Sequence, residues 1–198
     1  ITCRDWSSDV CSSDLGMNEL FDDRSRDVFM SARNRLHSIV ALYEHLDRSE
    51  NLNDVALHVY IKDLAEALYS TYAPEPGRID FSLRLAEAVI DTRRSIPLGL
   101  ILNELLTNTL KYAFPENRRG KVSVVLENAD GNAALIVSDD GAGLPEGFDS
   151  DTSPRLGLKL VRLLTDQIRG NLTFSGGAGR GTTARLTFTL QEQTHPGD

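Results

Sequence analysis

Asn103-Glu104-Leu105-Leu106-Thr107-Asn108 opens a series of four short clusters whose order decides how this chain is read. Behind it come Asp139-Asp140-Gly141-Ala142-Gly143, then Leu156-Gly157-Leu158, then Gly179-Arg180-Gly181-Thr182. Each is weak evidence alone, because short glycine motifs recur by chance. Their placement on a helix, a strand end, a helix start and a strand start is much harder to obtain by accident. Together they describe one nucleotide site.

Working outward, the apolar pattern supplies the elements around the clusters. Ser95-Ile96-Pro97 reads as a helix start, and the helix runs to Phe114, where Pro115 ends it. Ile79, Phe81, Leu83 and Leu85 alternate as a strand does, as do Val122, Val124 and Leu126. Leu135 and Val137 alternate against Ala134 and Ile136, with Gly131 in the turn between two strands. Residues 140–155 read as loop, followed by a helix from about Leu156 to Ile168 and strands at 172–175 and 182–190. Mostly antiparallel strands with helices able to cover one side predict an α/β fold, a two-layer α/β sandwich.

The N-terminal part is helical. Val28, Ala32, Leu36, Ile39, Tyr43 and Leu46 are spaced as the seam of a helix that packs on other helices. A second helix ends near Tyr72, with Ile61, Leu64, Ala65, Leu68 and Tyr72 on one stripe. Ala73-Pro74-Glu75-Pro76-Gly77 stops it and is the best candidate for a domain boundary, although this helix can pack on either side of the break. Residues 1–15 show no apolar period and hold both cysteines, Cys3 and Cys11. Residues 5–15 also resemble the one-frame translation of a sequencing-library adapter, so this leader is set apart from the fold. The expected organisation is a leader at 1–15, a helical segment at 16–73, an α/β domain carrying the four clusters at 78–190 and a polar tail at 191–198. The natural sequence is expected to start near Gly16, within a longer protein.

Composition narrows the function classes. The chain of 198 residues is 40% hydrophobic and 25% charged, as expected for one globular domain with an appendage. A net charge of −8, spread along the chain, argues against nucleic acid or an anionic membrane as a partner. With the leader set aside there is no cysteine, which removes disulfides, thiol catalysis and cysteine-bound zinc.

Within the first cluster, Glu104, Asn108 and Lys111 are spaced i, i+4, i+7 and share a helix face. A carboxylate, an amide oxygen and an ammonium on one stripe suit a magnesium–triphosphate, since magnesium takes hard oxygen ligands and keeps several waters. The same spacing also describes a solvated face with a Glu–Lys pair. Asp139, at a strand end, can accept a hydrogen bond from an exocyclic amine, and the glycines behind it let a flat base approach the backbone. A tight turn with an acidic cap reads identically. Gly157 begins a helix whose first N–H groups are free to meet phosphate, or it serves close packing alone. Gly179-Arg180-Gly181-Thr182 is by itself an ordinary hairpin turn.

In combination the four clusters resemble the ATP-binding domain shared by histidine kinases, gyrase-type topoisomerases, MutL proteins and their relatives (the Bergerat fold). The resemblance covers about residues 78–190. Ile96-Pro97-Leu98-Gly99-Leu100-Ile101-Leu102-Asn103-Glu104-Leu105, running into Lys111-Tyr112-Ala113-Phe114-Pro115, is similar to bacterial sensor histidine kinases with the second type of dimerisation and phosphoacceptor domain. It implies that Asn108 binds magnesium and Asp139 contacts the adenine amine of ATP. It also implies that Gly141 and Gly143 shape the base pocket, that Gly157 and Lys111 lie near phosphate, and that Gly181 and Thr182 assist at the adenine side. Glu104 stands where ATP-hydrolysing relatives carry their water-activating base and is the catalytic candidate. Asp140 departs from the usual asparagine, and the third cluster has one glycine where others have two.

The segment from Arg33-Asn34-Arg35-Leu36-His37 through Tyr43-Glu44-His45-Leu46 resembles the second helix of that dimerisation domain. The first helix, which carries the phosphoacceptor histidine, has no counterpart here. A rival register aligns Arg33-Asn34 with the Lys-Asn of the first helix and puts Met30 at the phosphoacceptor position. The resemblance implies a homodimer in the full-length protein and a response regulator receiver domain as partner, with this portion cytoplasmic and without membrane contact. Two other functions share the fold: an anti-sigma-type serine kinase, against which the helical arm counts, and a non-catalytic ATP-gated interaction module.

Overall fold

A computed structural model describes Leu36, residues 54–72, 77–149 and 156–190, with the side chain of Asn117 excepted. The chain divides into two compact units, Ile1–His37 and Ser38–Asp198. Of the first, Leu36 alone is described, as an exposed helical residue, and every element named below lies in the second. The leader, the rest of the apolar seam at 28–46, the break at 73–76 and the tail lie outside the described residues.

The elements follow in the order β1 (Asp54–Ala56), α1 (Leu57–Tyr72), β2 (Ile79–Leu85), β3 (Val89–Asp91) and α2 (Thr92–Tyr112). After a 3-10 turn at Pro115–Asn117 come β4 (Gly120–Ala129), β5 (Asn132–Asp139), α3 (Leu156–Gln167), β6 (Asn171–Gly176) and β7 (Thr182–Thr189). Five strands form one sheet in the order β2-β4-β5-β7-β6, with β2 parallel to β4 and the other neighbours antiparallel. The expected α/β sandwich is the observed architecture. Strand periodicity explains it, because Val122, Val124 and Leu126 of β4, Leu135 and Val137 of β5 and Ala184, Leu186 and Phe188 of β7 are all buried. They meet Leu98, Ile101, Leu102, Leu105 and Leu106 of α2 in one core. The β4–β5 hairpin turns on Asp130-Gly131, both at positive φ, the two-residue turn whose twist matches its strands.

Three features differ from the sequence reading or complete it. Helix α2 begins one turn earlier than Ser95-Ile96-Pro97 suggests. Asp91 is its N-cap, its carboxylate accepting from Arg93 N at 2.7 Å, and Pro97 lies inside the helix. The start moved because Asp91 is already fixed at the end of β3. That strand and β1 form a two-stranded ribbon, Asp54 to Asp91 and Ala56 to Val89, which three-residue strands are too short to announce. Finally, α1 packs on the sheet side of the break. Its Leu57, Tyr60, Ile61, Leu64, Ala65 and Leu68 enter the same core as α2. Tyr69 stacks on Phe81 of β2 at 4.5 Å and donates its hydroxyl to Ile79 O.

Candidate functional site

A cleft of about 500 Å³ opens between α2 and the ends of β5 and β7. Its sheet side is Val137, Asp139, Thr182 and Ala184, with Phe174 of β6 beside them. Helix α2 contributes Leu105, Asn108, Thr109 and Tyr112, the 143–149 loop lines the mouth, and Leu158 of α3 closes one wall.

Asp139 anchors the polar end. Its Oδ1 accepts from Gly141 N at 2.9 Å and from Thr182 N at 3.2 Å. Both bonds use the same oxygen, so Oδ2 carries no hydrogen bond among the described residues. Burial pushes the carboxyl above its ordinary range; the two backbone donors and Arg118 pull it back, and Asp140 adds to the rise. An adenine-type amine needs the ionised acceptor. Affinity for such a ligand should therefore begin to fall, on acidification, at a higher pH than an ordinary carboxylate implies. Titration calorimetry across pH checks this, and Asp139→Asn should flatten the profile.

The glycine clusters are knitted around this carboxylate. Gly181 N donates to Gly141 O at 3.2 Å, and Gly179 N donates to Ala142 O at 2.7 Å. Gly143, at φ +76, sits in the left-handed region, and a Cβ there would overlap the Gly177 carbonyl. Gly141 is pressed on Ala113, whose carbonyl accepts from Ala142 N at 2.8 Å. The fold thus brings together Asp139, Gly141, Gly143, Gly181 and Thr182, with Asn108 among the lining residues across the cleft.

Glu104, Lys111 and Gly157 stand elsewhere. Residues of an α-helix advance by about 100° each, so Leu105, Asn108, Thr109 and Tyr112 span the cleft face, and Glu104 and Lys111 fall just beyond its Asn108 edge. Lys111 Nζ lies 5.4 Å from the ring centre of Tyr72, a cation–π contact with α1. Glu104 is 7% exposed, and its carboxylate lies against Gly157 at the start of α3. The stripe predicted from spacing is therefore divided: Asn108 lines the cleft, Lys111 meets α1 and Glu104 meets α3. Sequence reasoning missed Thr109 and Tyr112, which the i+1 and i+4 neighbours of Asn108 could have suggested. It also missed the edge-to-face pair of Phe148 and Phe174, 5.5 Å apart, for which no local signal exists.

Residues 93–193 match the family model described as histidine kinase-, DNA gyrase B- and HSP90-like ATPase, and residues 12–72 match one described as histidine kinase. The chain belongs to the histidine kinases within that ATPase family. The second match begins at residue 12, ahead of Gly16. The sensor histidine kinase PdtaS of Mycobacterium tuberculosis is 30% identical over 170 residues, 81% of this chain and 32% of that protein. The blue-light-activated histidine kinase 2 of Erythrobacter litoralis is 26% identical over 90% of this chain and 50% of its own length. The chain thus spans a third to a half of these curated relatives. Among solved structures, the histidine kinase domain of the Erythrobacter litoralis EL346 protein superposes with a TM-score of 0.76 at 26% identity, covering 92% of this chain and 82% of that one. No helix among the described residues is long and apolar enough to cross a membrane.

Proposed function

We propose that this chain is the ATP-binding part, with a helical segment, of a two-component sensor histidine kinase. The full protein would transfer the γ-phosphoryl of Mg·ATP to a histidine nitrogen and pass it to an aspartate of a response regulator receiver domain, working as a homodimer. Asp139 carries this reading: a half-buried carboxylate with one oxygen held by two backbone donors and the other left for a ligand amine. The rest of the cleft suits a purine, with apolar walls from Val137, Leu105, Leu158 and Phe174 and glycines where a side chain would intrude.

Magnesium fits the donor set as an ion carried by the nucleotide. Among the described residues no three His, Cys, Asp or Glu side chains cluster to hold a metal, and Asn108 offers one amide oxygen from the cleft wall. Phosphates and water would supply the remaining hard ligands. The ion would neutralise charge on the transferring group, while this chain's residues bind and orient the nucleotide. Asn108→Ala should then remove the magnesium dependence of ATP binding and leave adenosine affinity nearly intact. Calorimetry with ATP and adenosine checks this, and equal losses for both would make Asn108 structural.

The phosphoacceptor is proposed to lie outside this sequence, because none of His37, His45, His58 and His195 has the phosphoacceptor setting. His58, the one described histidine, accepts from Ala88 N at 3.4 Å, a link between α1 and the approach to β3. Since such transfer depends on proximity, γ-labelled ATP should leave no acid-labile label on this chain alone. Adding a phosphoacceptor domain from a relative should yield label on that domain. Label on His37 or His45 would overturn the helix register, and no label in either arm would sink the kinase reading.

A further inference from the structure

We infer that Glu104 is a positioning residue: its carboxylate seats the first turn of α3 against α2 and thereby sets the cleft wall formed by Leu158. The inference rests on the reading of this cleft as the ATP site, but the contact behind it is independent of any ligand. Glu104 is buried in the middle of α2 and does not line the cleft. Its carboxylate occupies the space that a side chain at position 157 would need; a Cβ there would overlap Oε2 and lie 3.5 Å from Cδ. Glycine at 157 leaves the carboxylate of another helix room in that space.

The location gives the contact its consequence. Gly157 is the second residue of α3, within the turn whose N–H groups have no intrahelical acceptor, where a negative side chain is favoured. The next residue, Leu158, is 7% exposed and faces the cleft, and Val161 and Thr165 continue the buried seam of α3. A shift of the first turn relative to α2 would move Leu158 and change the shape of the nucleotide wall. A general base acts within hydrogen-bond reach of the proton it takes, whereas a positioning residue acts through the helix it touches. What the contact requires of Glu104 is a side chain of the right reach and shape.

That requirement separates the two roles experimentally. Glu104→Gln keeps the oxygen and the length but cannot act as a base, whereas Glu104→Ala removes both. For a positioning residue, Glu104→Gln should stay within about fivefold of the parent in ATP affinity and in transfer to a supplied phosphoacceptor domain, the loss expected from removing charge near a helix start. Glu104→Ala should weaken ATP binding about tenfold or more, raising KM without changing the pH profile of turnover. Gly157→Ala, which displaces the carboxylate, should match it. Combining the two alanines should add little, because the group that the new Cβ strikes is already gone. Hydrogen exchange should show faster exchange at the first turn of α3 in Glu104→Ala and Gly157→Ala without nucleotide. This readout stands even if the parent fails to bind ATP, an outcome that would defeat the functional reading and leave the helix contact tested. Turnover lost in Glu104→Gln at unchanged ATP affinity, fully additive alanine effects, or unchanged exchange in α3 would each overturn the proposal.

Discussion

Asp139→Ala should weaken ATP binding roughly 10- to 150-fold, the worth of about 1.5–3 kcal/mol for a hydrogen bond to a charged acceptor. The geometry supports the upper part of that range. The carboxylate is half-buried, and the backbone N–H groups of Gly141 and Thr182 hold its Oδ1, so Oδ2 is oriented before a ligand arrives. Removing the side chain deprives the ligand amine of its acceptor and leaves two backbone donors without theirs. Asp139→Asn is the sharper control. Its amide oxygen can keep the two backbone bonds, but its NH2 group faces an amine with no acceptor to offer. It should therefore lose nearly as much affinity as the alanine variant while melting closer to the parent. Calorimetry with ATP and with a purine lacking the exocyclic amine measures both effects. Equal affinity of the parent for the two purines would remove Asp139 from the base contact.

Gly99→Ala should produce the largest loss of stability, in a residue remote from the cleft lining. A Cβ on Gly99 would strike the Tyr60 hydroxyl and come within 2.6 Å of its ring carbon Cζ. Tyr60 is 1% exposed, between α1 and α2, and burial pushes its hydroxyl pKa far upward. Two atoms cannot share that space, so the helices must separate or the ring must move. Overpacking of this kind costs about 1–3 kcal/mol, occasionally more. For a chain of this length each kcal/mol lowers Tm by about 2–4 °C. Tyr60→Phe removes the closest atom, so the double variant should recover part of the loss. A parent-like Tm for Gly99→Ala would mean that α1 does not lock onto α2 at this point.

That contact also bears on how much of the molecule is legible without coordinates. The stripe of α1 is plain in the spacing of Ile61, Leu64, Ala65 and Leu68, but an apolar stripe does not name its partner. The side of the break on which α1 packs is decided by the fit of Tyr60 over Gly99 and of Tyr69 over Phe81. Helix α2 raises the same difficulty in sharper form. Residues Ile101 through Leu106 are buried without interruption, Asn103 and Glu104 included. A helix enclosed on all sides has little polar–apolar contrast with which to read its rotation. Spacing could therefore group Glu104, Asn108 and Lys111 without showing that Asn108 alone of the three lines the cleft.

By itself the sequence determined what neighbouring residues settle among themselves. Strand alternation, the Asp130-Gly131 turn, the helix stop at Pro115 and the glycines behind Asp139 all follow from sterics and periodicity over a few positions. Those constraints were enough to specify a two-layer α/β sandwich, whereas Asp139 and Thr182, which the fold joins by a hydrogen bond, were grouped by the resemblance of the four clusters to a known family. Tertiary structure decided the pairing of Asp54 with Asp91, the meeting of Phe148 with Phe174, and the seating of Glu104 beneath Gly157. Each of these joins elements far apart in sequence, and each depends on the rotation or register with which they pack. Local preference carries no information about that phase, which is set by the shape complementarity of whole faces once the core has closed.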